Sequence, residues 1–124
     1  MQIIGHDLIE FEYFYKVIKL DDIVKFDNLL FSYDENFIAS ALEFKKTFSV
    51  IASDENHILL ANALGAKFII THLNNLNLVK KAVKLSEFYL FDSKIACIIT
   101  DEKQLRDVAN LGADTAIFEK AIKI

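Results

Sequence analysis

Proline and tryptophan are absent from these 124 residues, glycine occurs three times and cysteine once. Each scarcity excludes something. Without proline or a glycine- or serine-rich stretch, no internal linker divides the chain, so residues 1–124 read as one domain. A chain of this length buries about two-thirds of the surface its unfolded form exposes. None of the three glycines falls in a GxGxxG or GxxxxGK[ST] pattern, which excludes the usual phosphate cradles of nucleotide and dinucleotide sites. One cysteine, Cys97, allows no internal disulfide. It lies in the apolar run 95–99, where an inert buried thiol is expected, and a reducing cytoplasm suits it. No apolar run approaches the roughly 18 residues that cross a bilayer, and the start lacks a basic region followed by an apolar one. Neither membrane insertion nor secretion is expected.

Positive charge is also short. Eighteen acidic residues outnumber fourteen basic ones, for a formal net charge of −4. Duplex binding draws on clustered lysines and arginines that displace counterions. The basic residues here are scattered, so no nucleic-acid partner is expected. Only Arg106 is an arginine, against many Lys, Ile, Asn and Phe; that bias suits an AT-rich bacterial genome.

What the chain does have is a repeated phrase. Phe31-Ser-Tyr-Asp-Glu-Asn-Phe-Ile, Ile51-Ala-Ser-Asp-Glu-Asn-His-Ile and Ile98-Ile-Thr-Asp-Glu-Lys-Gln-Leu each read as a buried strand running into an acidic helix start. An offset of 20 residues superposes Asp34, Glu35, Asn36, Ile38, Ala41 and Phe48 on identical residues. An offset of 47 superposes Asp54, Glu55, Leu64, Gly65 and Ala66 on identical residues. The first interval suits one strand-plus-helix unit and the second suits two.

Strands are predicted at 29–32, 49–52, 68–71, 95–100 and 115–118, and helices at 35–46, 55–64, 76–88 and 102–111. The strands are near-continuous apolar runs, as in parallel sheets covered by helices. Gly65 and Gly112 stand where left-handed residues end helices. Residues 1–28 are less regular, with two further strands possible at 2–4 and 11–18 and a helical turn at 20–26. Alternation of Glu10, Glu12 and Lys16 with Phe11, Tyr13, Tyr15 and Val17 suggests an edge strand or hairpin. The expected fold is therefore three-layer α/β/α, with a mainly parallel five- or six-stranded sheet and helices on both faces.

Ligands in such folds bind beyond the carboxyl ends of the strands. That edge would carry Ser32, Tyr33, Asp34, Ser53, Asp54, Thr71, His72, Thr100, Asp101 and Glu119, joined by His6 and Asp7 if the first strand aligns. Ser53 and Thr100 suit helix N-caps, and the Asp-Glu pairs suit first turns stabilised by the helix dipole. Two carboxylates at a helix start repel phosphate. Asp34, Asp54 and Asp101 are the candidates for a divalent cation, although their spacing matches no metal motif. His6, His57 and His72 lack the close spacing of a zinc site. His57 reads as an exposed first-turn residue. For acid–base work the candidates are His72, Asp101, Glu119 and His6. No cofactor is implied.

The order strand-Asp34-Glu35, strand-Thr100 and strand-Glu119-Lys120 resembles a bacterial receiver domain. In that family the phosphorylated aspartate follows the third strand; His72 stands there, so the resemblance implies a fold without the phosphotransfer. Asn110-Leu-Gly-Ala-Asp-Thr-Ala-Ile-Phe resembles the helix-to-strand junctions of (β/α)₈ barrels. Such barrels need about 250 residues, which implies at most half of one here, completed by dimerisation. Residues 48–120 also resemble small bacterial α/β proteins, which implies no activity.

Two functions are expected. The first is a non-catalytic cytoplasmic interaction or assembly module, a homodimer built on the aromatic segment Phe11, Tyr13, Phe14 and Tyr15. The alternative is an enzyme or small-ligand or metal binder with its site at the carboxyl edge. That alternative requires a concave pocket there.

Overall fold

A computed structural model describes all of residues 1–124. In chain order the elements are β1 (Gln2–Ile4), β2 (Phe14–Lys16), α1 (Asp21–Lys25), β3 (Leu29–Ser32), α2 (Glu35–Glu43), β4 (Phe48–Ile51), α3 (Glu55–Ala63), β5 (Phe68–His72) and α4 (Leu76–Phe88). They are followed by β6 (Lys94–Ile99), a 3₁₀ turn (Glu102–Gln104), α5 (Leu105–Leu111), β7 (Thr115–Phe118), a second 3₁₀ turn (Glu119–Ala121) and β8 (Ile122–Lys123). No helix is long and apolar enough to cross a membrane.

The chain is a parallel α/β fold, as its repeats indicate. Every strand pairing is parallel, in the order β1-β7-β6-β5-β4-β3-β2-β8. The sheet has eight strands rather than five or six. Two of them come from the N-terminal segment. There β2 lies parallel between β3 and β8, so it is neither an edge strand nor half of a hairpin. The two-residue β8 is too short to show a pattern in the sequence. Eight strands fit into 124 residues because several are only two to four residues long.

The topology forces the sheet to curl. Six inter-strand spacings separate β7 from β8, about 29 Å in a flat sheet. Yet only three residues join Phe118 to Ile122, and that link reaches at most about 14 Å. The sheet must bend until its two ends approach each other.

Alternation along the strands sends side chains to two cores. Leu29, Phe31, Val50, Ile69, Ile95, Cys97 and Ala116 face the helices and join Ile23, Ile38, Ala41, Ile58, Ala61, Val79, Ala82, Val83 and Val108 in one cluster. The alanines let α2, α3 and α4 approach the strands closely. The opposite face closes on itself: Ile4, Phe14, Leu30, Phe68, Ile70, Ala96, Ile117 and Ala121 form a second cluster inside the curl. Burying a side chain as large as Phe14 or Phe68 contributes about 1.5–3 kcal/mol over leaving it in water.

The helix starts differ from expectation by one residue. Asp34 and Asp54 are the N-caps of α2 and α3, and Asp101 caps the 3₁₀ turn before α5. Ser53 and Thr100 precede the caps. At the other ends, Gly65 and Gly112 take φ of 91° and 81°, the left-handed conformation expected of them.

The N-terminal aromatics pack within the chain. Phe14 is buried inside the curl, and Tyr15 stacks on Phe26 with centroids 5.0 Å apart. Phe11 meets Tyr13 edge-on, and Lys123 sits over the Tyr13 ring. Strand pairing with β3 and β8 draws this segment into the fold.

Candidate functional site

The carboxyl ends of the strands open on a cavity of about 350 Å³ at the mouth of the curl. Its floor is apolar: Leu30, Ile51, Ile98 and Ile122. Its polar lining is Lys16, His72, Thr100 and Glu119. The strand period explains why these residues meet. Lys16 lies two residues beyond Phe14, His72 two beyond Ile70, and Ile98 two beyond Ala96, and all three references belong to the inner cluster. Each therefore continues the inward face of its strand to the point where the interior reaches solvent. Glu119 arrives differently, as the first residue of the turn that carries the chain from β7 across to β8.

Of the four acid–base candidates, the structure brings together His72 and Glu119. His6 is on the same edge, because β1 aligns with β7. Its Nε2 lies 2.8 Å from a Glu102 carboxylate oxygen and its ring meets Phe118 edge-on, outside the cavity. Asp101 accepts a hydrogen bond from the Lys103 amide at 2.8 Å. The Gln104 side chain in return accepts from the Thr100 and Asp101 amides at 2.7 and 3.1 Å. This capping box commits Asp101 to starting a helix.

The three cation candidates do not converge. Asp34 accepts from the Asn36 and Phe37 amides, and Asp54 accepts from the His57 amide. With Asp101 each serves its own helix, and no group of three His, Cys, Asp or Glu side chains could hold a metal ion. The same caps occupy the amides that would otherwise draw an anion to a helix start.

A second hollow, about 330 Å³, adjoins the first and shares Ile51 and His72 with it. Here the Tyr33 ring stacks on His57 with centroids 4.2 Å apart, and the Tyr33 hydroxyl donates to Glu35 at 2.9 Å. Burial, and then that bond to Glu35, push the Tyr33 hydroxyl above the usual tyrosine range. The His57 Nδ1 lies 3.1 Å from the Ser53 hydroxyl and 3.4 Å from its amide, and Nε2 lies 3.8 Å from Asp54. This resembles a nucleophile–base pair. It is a helix-start device: the side chain in the first turn folds back onto the residue before the cap, as Gln104 does onto Thr100.

Lys16 is the residue that sequence reasoning missed. Its alternation with Phe11, Tyr13, Tyr15 and Val17 is legible, but reading the segment as an edge strand or hairpin leaves it outside the site. Only the pairing of β2 with both β3 and β8 turns it inward. Cys97 is buried in β6, facing the helices, and burial pushes its thiol above the ordinary range while the contact with Thr71 pulls the other way. It is not among the residues that line the cavity. Compared with protein-family models and with curated proteins, the chain matches none.

Proposed function

We propose that this chain is a cytoplasmic small-ligand-binding protein whose site is the mouth of the curled sheet. The observation that carries this reading is the meeting of Lys16, His72, Thr100 and Glu119, from four separate parts of the chain, above one apolar floor. A volume of 350 Å³ is within the range of about 300–1,000 Å³ typical of small-ligand sites. The position matches the general rule for parallel α/β sheets, where strand ends supply binding groups and the sheet interior supplies rigidity.

A ligand-observed NMR screen of small polar metabolites tests the reading, run on the wild type and on Thr100→Trp. The substitution fills the mouth from an exposed rim position. Hits that vanish in the variant support the site. Hits indifferent to the substitution, or no hits at all, sink it.

A second reading, assembly of identical chains, rests on the opposite end of the fold. Phe88, Tyr89 and Leu90 at the end of α4 are 78%, 61% and 83% exposed. Aromatics left in water favour an interface. Light scattering at high micromolar concentration should then give a dimer, and Phe88→Ser a monomer. A monomeric wild type refutes this reading and leaves the ligand site untouched.

A further inference from the structure

Two charges of opposite sign line the mouth without pairing. Some of the chain's ionic side chains do find partners: His6 with Glu102, Asp27 with Lys46, Glu55 with Lys81, and Asp7 with Lys120. Lys16 and Glu119, of opposite sign and lining one cavity, join none of these pairs and do not pair with each other. The contrast is sharpest at adjacent positions. Lys120 reaches out to Asp7, while its neighbour Glu119 lines the mouth without a partner.

Opposite charges that share a cavity and stand apart leave room for a ligand carrying both complements. A simple carboxylate would satisfy Lys16 and be repelled by Glu119. A simple amine would do the reverse. A phosphate would bring two negative charges toward Glu119 and a single lysine. The floor adds a third requirement, because Leu30, Ile51, Ile98 and Ile122 offer branched aliphatic surface and no hydrogen-bonding side chain.

From this arrangement, and resting on the ligand-site reading above, we infer that the mouth binds a zwitterionic α-amino acid with an aliphatic side chain. The ligand carboxylate lies on the Lys16 ammonium and its ammonium on the Glu119 carboxylate. Its side chain lies on the isoleucine floor. Both ends then make charge-assisted hydrogen bonds, stronger than neutral ones. The aliphatic floor excludes polar side chains, because their groups would be left without partners.

Isothermal titration calorimetry with four probes tests the inference: L-leucine, 4-methylpentanoate (lacking the ammonium), 3-methylbutylamine (lacking the carboxylate) and glycine (lacking the tail). Leucine is expected to bind, and each of the others about tenfold or more weaker, the loss of one charge-assisted contact or of the tail. Lys16→Gln should weaken leucine by a similar factor and strengthen 3-methylbutylamine, which loses a like-charged neighbour. Glu119→Gln should weaken leucine and strengthen 4-methylpentanoate, which loses its like-charged neighbour. Both positions are exposed, so the variants should fold, and circular dichroism checks that they do. Binding of 4-methylpentanoate or of the amine as tight as leucine overturns the zwitterion while the mouth remains the site. Absence of heat from leucine overturns it as well. The broader reading falls separately, if the metabolite screen gives no hit sensitive to Thr100→Trp.

Discussion

The Phe14 ring meets Phe68 edge-to-face, with centroids 5.9 Å apart, although β3 and β4 separate their strands in the sheet. In a flat sheet those strands would lie about 14 Å apart. The contact crosses the interior of the curl and ties the N-terminal segment to the central strands. Replacing either residue by alanine should cost about 3–5 kcal/mol. The double variant should cost less than the sum, by about 0.5–1.5 kcal/mol, the usual worth of an aromatic pair. Urea denaturation of the four proteins measures both quantities; strict additivity would mean the rings do not support each other.

Inside the same curl, the Thr115 hydroxyl is buried and has no hydrogen-bond partner. An unmet buried hydroxyl is destabilising, and a methyl of the same shape removes that penalty. Thr115→Val is therefore expected to raise stability by about 1 kcal/mol. A drop in the thermal midpoint would show that the hydroxyl has a partner, such as a buried water.

Gly5 closes β1 at φ 99°, and a Cβ there would lie 2.9 Å from the Phe118 Cβ and 3.1 Å from that of Ala121. Gly65 has φ 91° and open space around it. Gly65→Ala should cost only the left-handed backbone strain, about 1–2 kcal/mol. Gly5→Ala adds a clash with side-chain roots that cannot rotate away, and should cost clearly more. Equal losses in chemical denaturation would refute the packing of β1 against the turn after β7.

Cys97 should behave as an inert thiol. Reaction requires the thiolate, and burial both raises the thiol pKa and blocks access. With Ellman's reagent at pH 8 the native protein should label only as fast as it opens, and fully once denatured. Rapid stoichiometric labelling of the folded protein would contradict the buried position.

Asp22 should make stability depend on acid pH. The Ile18 and Lys19 amides donate to its carboxylate at 3.0 and 3.2 Å, and they hold its pKa below the usual aspartate value. A depressed folded pKa contributes stability that is present above the unfolded value, 3.8, and is lost as pH falls through the folded one. The wild type should lose stability relative to Asp22→Ala as pH falls through and below 3.8. Parallel pH profiles for the two proteins would show that these amides do not distinguish the ionised carboxylate.

Much of the local structure was legible along the chain. The repeated Asp-Glu phrase locates three helix starts because capping is a local act: Asp34, Asp54 and Asp101 satisfy amides two or three residues away. Gly65 and Gly112 mark helix ends for an equally local reason, since only glycine adopts their φ at no steric cost. The apolar runs of β3 to β7 identify a parallel sheet without any knowledge of strand order. The same reasoning placed His72 and Glu119 at the carboxyl edge.

Other features depend on distant partners. Nothing near Phe14 in the chain says that it meets Phe68, and nothing near Lys16 says that it faces inward. The short β8 has no pattern of its own and exists because Ile122 and Lys123 pair with Phe14 and Tyr15. By itself the sequence determined the class of fold, the helix starts and the edge where a site belongs, because capping, turn geometry and strand period act within a few residues. Only the tertiary structure decided that the sheet curls, and so which edge residues share a cavity. It separated His72 and Glu119 from Asp101 and His6 and added Lys16, because convergence is set by pairing between strands far apart in the chain.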